Sequence, residues 1–396
     1  MVLGQCLMLR TVVFWCHLGC GVAVGLVVLM MSVTGVILTY ERQLLARADS
    51  RAYYQQPDSN AERISLNKLI QIGHQVPDFK PTNLTVYSNP AAPVELRAGR
   101  QNKLFLNPYS GEIYPLRSEM LDNFFSLVTR WHRWFALSGE NRAWGRMVTG
   151  VSNLGFLFLI VSGLYLWLPR TFKWTAFKMR LWFSTTPNSA ARDFNWHHVL
   201  GIWAAIPLLI IVPSAVVFNF TWANNLVYTL AGEAPPQRGG RVTGENNQVE
   251  SAPLISSVRN YDGYLQTASE TIRDWQSISI ALNNESTITI AVDTGNGGQP
   301  QKRQSLNLDA TTNAVVSSSS FSDLSAGRQA RSWLRFLHTG EALGWLGQTI
   351  AGLASLAAVV MVWTGLALAW RRLRRNLIKP ARVSPAPSLT IEMESG

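Results

Sequence analysis

Four stretches of this chain, at positions 11–40, 144–169, 196–228 and 343–370, are apolar almost throughout, and none of their cores carries Asp, Glu or Lys. About 20 apolar residues in a helix cross the hydrocarbon of a bilayer. Within lipid, a helix satisfies its own backbone. Four such stretches therefore predict a bundle of four membrane-spanning helices. The rest of the chain is not a set of short loops. Positions 42–130 and 230–332 are polar and long, so sizeable water-soluble domains must join the spans. Overall charge content is 15%, against about 25% in soluble domains.

The first apolar run is too long for a secretory signal, and VILTYERQ at its end offers no small-residue cleavage site. It reads as a retained helix. GCGVAVG at 19–25 superficially matches a dinucleotide fingerprint, but its spacing is wrong and it lies inside the span, so close helix packing is the better reading. The three cysteines, Cys6, Cys16 and Cys20, all precede Gly21. That placement excludes a disulfide framework or a cysteine-based zinc site in the polar domains.

Charge sets the expected orientation. Arg170, Lys173, Lys178, Arg180 and Arg192 follow the second span; Arg371, Arg372, Arg374, Arg375, Lys379 and Arg382 follow the fourth. The positive-inside rule puts both groups, and both termini, in the cytoplasm. The two long connections then face outward. Topology thus accounts for part of the net charge of +11, and RRLRR needs no nucleic-acid role. The expected plan is a first span at 1–41, an exported α+β domain at 42–130, and a histidine segment with the second span at 131–170. A basic cytoplasmic loop at 171–195 and the third span at 196–229 follow. A second exported α+β domain at 230–332, a histidine segment with the fourth span at 333–371, and a basic tail at 372–396 complete it.

The two halves resemble each other. Each exported domain opens with a helix candidate, at 64–76 and 264–275. Strand candidates follow: LTVY, VELRA and KLFLNPYSGEIYPL in the first, SISIAL, TITIAV and QSLNL in the second. An offset of 202 sets Leu106 on Leu308 and Gly111 on Asn313, a turn-for-turn substitution. The same offset sets Gly145 on Gly347, Gly150 on Gly352 and Gly163 on Gly365 in the spans. The first and third spans align at 181, placing WCHLG beside WHHVLG. Two parallel span–domain–span copies of this kind are related by a pseudo-two-fold axis along the membrane normal.

Five of the six histidines lie at span ends. His74 is the exception and reads as a surface residue. His17 aligns with His198 at the cytoplasmic level, and His132 and His338 occupy equivalent places at the outer level. Two-fold symmetry turns equivalent residues toward a common axis, so each level offers a pair of imidazoles. A haem iron with two axial histidines asks for that arrangement. His197 and His198 point about 100° apart on a helix, so one of them can reach the axis; alignment favours His198, with His197 the alternative. The spans bury no midplane carboxylate of the kind ion pumps use, and two histidines per level make a poor tetrahedral zinc set. Without a CxxCH motif, any haem is non-covalent and b-type. Trp15, Trp131, Trp134, Trp196 and Phe336, with Gly19, Gly340 and Gly344, suit a porphyrin's bulk. Arg130, Arg133, Arg331 and Arg335 are propionate candidates at the outer level, with ordinary interfacial charge as the alternative. Arg10 and Arg192 are their inner counterparts. Tyr109, Tyr114, Tyr261 and Tyr264 are candidate cleft residues, with core packing the default for each.

HLGCGVAVGLVVLMMSVTGVIL, NPYSGEIY, WHRWFALSG followed by GRMVTG, NWHHVLG and LHTGEALGWLGQ together resemble the PepSY-associated transmembrane-helix family, over nearly the whole chain. The sequence departs modestly in the Ser-rich end VVSSSSFSD and in the His197–His198 doublet. The resemblance implies an α-helical membrane protein with a four-helix bundle and two PepSY-like periplasmic α+β domains, in the bacterial inner membrane. It also implies similarity to the FoxB-type ferric-siderophore reductases, with two b-type haems held by histidine pairs. His17, His198, His132 and His338 occupy the matching places.

The function expected is then transfer of electrons through two haems to a ferric siderophore in the periplasm. No flavin or nicotinamide site is visible in the short cytoplasmic segments, so the expected donor is quinol or a separate reductase. The alternatives are a haem-free sensor or scaffold whose exported domains bind partners, and a quinol-linked cytochrome with another periplasmic acceptor.

Overall fold

The computed structural model describes residues 2–58, 60–99, 102–115, 119–169, 172–185, 188–236 and 259–378. Arg170, Lys379 and Arg382 of the basic segments, and the side chain of Cys6, lie outside the described residues. In chain order, α1 (Val2–Leu38) and α2 (Glu41–Tyr53) lead to α3 (Leu66–His74). Strands β1 (Asn83–Tyr87), β2 (Val94–Ala98) and β3 (Asn102–Leu106) follow. Next come α4 (Met120–Trp134), α5 (Arg142–Trp167), α6 (Trp174–Leu181), α7 (Ser189–Asn219), α8 (Thr221–Leu230) and α9 (Tyr261–Thr271). Strands β4 (Ser277–Ala281), β5 (Thr287–Asp293), β6 (Arg303–Asp309) and β7 (Val315–Ser320) precede α10 (Ala326–His338) and α11 (Gly344–Ile378).

Among the described residues four helical stretches, Met8–Tyr53, Gly139–Trp167, Ser189–Asn219 and Glu341–Arg375, are long and apolar enough to cross a membrane, and their cores are α1, α5, α7 and α11. Each packs on two others, in the closed ring α1–α5–α7–α11. Their shared interior is small and apolar, with Ile160, Ala204, Leu208, Val212, Ala354 and Ala358 buried. The third span differs from expectation. It begins at Ser189, and the extended backbone of Phe220 separates α7 from α8, so residues to 228 do not continue it.

The polar connections meet in one antiparallel sheet, ordered β3-β2-β1-β4-β5-β6-β7. The segments expected as separate domains are stitched where β1 pairs with β4, from Asn83 opposite Ala281 to Tyr87 opposite Ser277. Period-two alternation sends Leu84, Val86, Ile278, Ile280, Ile288, Ile290, Leu306 and Leu308 into one core, under α3 and α9. The two helices cap each other. The Asp262 carboxylate accepts from the Leu66 N–H at 2.9 Å, and the Asn67 side-chain oxygen accepts from the Tyr261 N–H at 3.3 Å, satisfying donors that a first helical turn leaves open. Tyr261 and Tyr264 are buried in that core, and Tyr114 packs with Tyr53 and Phe105. Tyr109 donates its hydroxyl to the Pro90 carbonyl. Core packing and a loop clasp therefore account for the four candidate cleft tyrosines.

After β3 and after β6 the chain turns in the same way. The Asn107 Oδ1 accepts from the N–H groups of Tyr109 and Ser110, and the Asp309 Oδ1 from those of Thr311 and Thr312. The left-handed positions are Gly111 (φ 73°) and Asn313 (φ 60°). Beyond the turn the two differ: one bridge, Leu106 to Ile113, on the first side, and the full strand β7 on the second. The Ser-rich VVSSSS, where the sequence departs from the family it resembles, is that strand. The helix expected over 264–275 starts earlier, at Tyr261, because the Asn260 side chain caps it by accepting from the Gly263 N–H. The sheet sits on the bundle through Arg42 of α2, which pairs with Glu341 at 3.3 Å and donates to the Asn296 carbonyl.

Candidate functional site: two histidine levels in the bundle

Each sheet-end histidine closes a short helix that stops beside a spanning one. α4 ends because Phe135 and Ala136 take left-handed conformations (φ 55° and 56°); α10 ends at His338, two residues before Gly340 (φ 75°). The reversals are tight. A Cβ on Gly145 would strike the Trp134 carbonyl oxygen, and one on Gly347 would strike that of Gly340. Glycine is required at both, and the close approach fixes α4 against α5. At its start α10 is held by Glu233, which accepts from the Gly327 N–H at 2.9 Å and the Ser325 hydroxyl at 2.8 Å. Those bonds hold the Glu233 carboxyl below the usual carboxylate range.

These placements bring His132 and His338 together edge to face, with ring centroids 6.4 Å apart and planes at 66°. His132 Nδ1 meets the Thr34 hydroxyl of α1 at 2.9 Å. His338 Nδ1 meets the Ser214 hydroxyl of α7 at 3.0 Å and the Ile211 carbonyl at 2.9 Å.

The basic-loop end is built alike. His17 Nδ1 of α1 meets the Ser162 hydroxyl of α5 at 2.8 Å. His197 Nδ1 of α7 meets the Thr364 hydroxyl of α11 at 3.2 Å and the Met361 carbonyl at 3.1 Å. Both rings lie over glycine: a Cβ on Gly163 would come within 3.3 Å of the His17 ring, and one on Gly365 within 3.2 Å of the His197 ring. His198 is placed differently. Its Nδ1 bonds the Phe194 carbonyl of its own helix at 2.9 Å, and its ring lies 4.1 Å from that of Phe194. The geometric counterpart of His17 is thus His197, at an offset of 180, and not His198 as the alignment at 181 has it. The hydroxyl partners obey the same numbers: Thr34 and Ser214 differ by 180, Ser162 and Thr364 by 202.

Hydrogen positions follow from the partners. Each of the four hydroxyls donates to a carbonyl of its own helix: Thr34 to Met30 at 2.7 Å, Ser162 to Phe158 at 2.6 Å, Ser214 to Ile211 at 2.7 Å and Thr364 to Val360 at 2.8 Å. With its one hydrogen committed, a hydroxyl can only accept from the imidazole. Nδ1 therefore carries the proton in all four rings, and Nε2 keeps its lone pair. That is the form in which histidine ligates a metal, with the far nitrogen oriented by a neighbour.

The arginines sort by end. Arg10 donates to the Leu166 and Leu168 carbonyls at 2.6 and 2.8 Å, and Arg180 to that of Trp167, so both close the carboxyl end of α5. Arg192 and Arg371 clasp the buried Asp193 at 3.1 and 2.7 Å. Arg10 and Arg192, the inner propionate candidates, are thus engaged within the chain. At the sheet end Arg130 and Arg335 are exposed, and Arg331 is half-buried and bonds Asn224. Burial, and next the guanidiniums of Arg142, Arg146 and Arg335, hold Arg133 below its ordinary value. Arg142, Arg146 and Arg303 carry no sequence signal of their own and join this group only in the fold.

The remaining candidates are scattered. Phe336 is buried beside the His338 turn, whereas Trp15, Trp131 and Trp196 are exposed on the bundle surface. His74 is exposed at the end of α3. Cys20 packs against Gly155, and Cys16 and Cys20 are free thiols. Among the described residues no three His, Cys, Asp or Glu side chains converge as a metal-binding group, so the donors come as imidazole pairs. Sequence reasoning missed the four hydroxyls because their significance lies on a neighbouring helix; the matched offsets are the signal that could have found them.

Four spanning helices with histidines at both ends define a multi-pass membrane protein. The chain belongs to the family described as the PepSY-associated TM region, whose model matches residues 14–372. No curated protein matches it.

Proposed function

We propose that this protein is an oxidoreductase of a bacterial inner membrane that passes single electrons across the bilayer to a ferric siderophore, with two b-type haems held at the two ends of the bundle. One observation carries the reading: at the sheet end, histidines from opposite halves meet with Nδ1–H committed, so that Nε2 keeps its lone pair. Two metal–imidazole bonds of about 2 Å, with roughly 1 Å more to each ring centre, ask for about 6 Å between centroids. The sheet-end pair stands at 6.4 Å.

His132 and His338 hold the sheet-end iron in this reading, and His17 and His197 the other. Haem iron, when bound, supplies the one-electron chemistry. The hydroxyls of Thr34, Ser162, Ser214 and Thr364 keep each ring in the ligating tautomer and raise its basicity. Gly163 and Gly365 leave room for the rings, and the apolar interior between α5, α7 and α11 excludes water. The positive-inside rule sets the basic loop in the cytoplasm, where quinol or a separate reductase gives the electron, and the sheet in the periplasm. There one electron converts chelated Fe(III) to Fe(II), which hard oxygen donors hold less tightly.

The test is an optical spectrum with haem counted per chain. Protein made under haem-replete conditions should show bis-histidine bands and two haems, and His132→Ala should leave one. Colourless protein, or a variant that keeps both haems or loses both, would overturn the proposal.

A further inference from the structure

Guanidinium groups gather around the sheet-end histidines on aromatic platforms. Arg133 and Arg142 lie over the Trp134 ring at 4.8 and 3.8 Å. Arg331 lies over Phe218 at 4.5 Å, and that ring stands 5.5 Å from His338. Arg335 and Arg303 lie over Phe336 at 5.3 and 5.2 Å. Arg303 opens β6, so the cluster joins the sheet to the bundle. Aromatic faces hold guanidiniums in place without neutralising them.

Carboxylates at this end gather elsewhere, Glu41, Asp122 and Glu341 standing near one another and Arg42. Asp293 pairs with Arg303 at 3.4 Å and Glu341 with Arg42 at 3.3 Å. Among the described residues, no carboxylate lies within ion-pair distance of Arg133, Arg142, Arg331 or Arg335. Cations crowded without counter-charge repel one another, an unfavourable arrangement that an entering anion reverses. Burial and the neighbouring Arg335 likewise hold Arg331 below its ordinary value.

We propose that this arginine vestibule binds a multiply charged anionic ferric chelate, with carboxylate or catecholate groups exposed on its surface, in preference to neutral or cationic chelates. The proposal rests on the reductase reading above. In that reading two haem propionates answer two of the four unpaired guanidiniums, and the cations beyond those two recognise the substrate. Guanidinium matches such oxygens in pairs.

Gallium(III) copies the charge and size of iron(III) but is not reduced, so binding is read apart from electron transfer. The full chain with haem, in nanodiscs of zwitterionic lipid, is titrated by calorimetry with the gallium complex of a tricatecholate, a trianion, and with that of a neutral trihydroxamate. The trianion should bind at least about tenfold tighter, and added salt should shrink the gap. Arg303→Gln and Arg142→Gln should each weaken the trianion about tenfold while the haem spectrum is retained. Equal affinity for the two complexes overturns the proposal. So does loss of haem in both variants with trianion binding intact, which assigns the cluster to propionates. So does abolition of the preference in nanodiscs of anionic lipid, which assigns it to phosphate headgroups. Colourless protein that still prefers the trianion sinks the reductase reading alone; coloured protein without preference sinks the anion site alone.

Discussion

The two ends of the bundle hold their histidines by the same device and place their arginines differently. At both, a hydroxyl on the next helix accepts from Nδ1. At the basic-loop end four arginines are engaged by oxygens of the chain: Arg10 and Arg180 take the last carbonyls of α5, and Arg192 and Arg371 share Asp193, while Arg372 lies over the Phe14 and Trp15 rings. At the sheet end Arg133, Arg142, Arg331 and Arg335 rest on rings or polar side chains. A buried carboxylate draws two guanidiniums together at the first end; aromatic faces hold them at the second. In the proposed function the histidines carry the chemistry common to both ends, and the sheet-end cations mark the end that meets an anionic partner.

The sharpest way to break the likeness between the ends is to test which residue of the doublet matches His17. His197→Ala should remove the basic-loop haem, halving the haem count, whereas His198→Ala should leave two. The reverse result would restore the alignment at 181 and dissolve the parallel between the levels. Haem per chain, measured after denaturing extraction, decides it.

That pair also shows what a sequence can carry. The four spans are legible because hydropathy is summed over the whole length of each, so small boundary errors do not matter. His132 and His338 are legible as a pair because each stands before a span with glycines at matching offsets. The choice between His197 and His198 is not, since letter matching sets WCHLG on WHHVLG at 181, one residue from the offset of 180 that the hydroxyl contacts follow. The deciding contacts, Thr364 and Gly365, lie on α11, the far end of the chain from α1 and a different helix from the doublet itself. The join between β1 and β4 is hidden for a similar reason: alternation marks a strand and its buried face, but not its neighbour. Cleft readings of Tyr261 and Tyr264 give way to a core that becomes apparent only once α3 and α9 are seen side by side.

The Asp193 clasp at the basic-loop end predicts a smaller, structural effect. Asp193 is 5% exposed while its partners are 50% and 36% exposed. Breaking a fully buried ion pair costs about 3–5 kcal/mol. With partners this exposed, Asp193→Asn should lower stability by less, about 1–2 kcal/mol after allowance for solvent screening. Reversible denaturation in mixed detergent micelles measures it. A change no larger than that of a surface Asp→Asn would show that Asp193 does not hold its two arginines, and the contrast would fail.

The finest comparison lies within the basic-loop pair. His17 has the Ser162 hydroxyl as its Nδ1 partner, at 2.8 Å, whereas His197 has both the Thr364 hydroxyl and the Met361 carbonyl. Removing an orienting partner of a metal-bound histidine typically costs about 10–100-fold in affinity. Ser162→Ala should therefore weaken haem binding at this end by about tenfold. Thr364→Val, which preserves shape, should weaken it by less, because the carbonyl still accepts the Nδ1 proton and keeps the tautomer. Haem titration of the two apoproteins measures both. Equal losses would mean that the hydroxyls act through packing and not through the proton, since a carbonyl replaces a hydroxyl as acceptor but not as a filler of space.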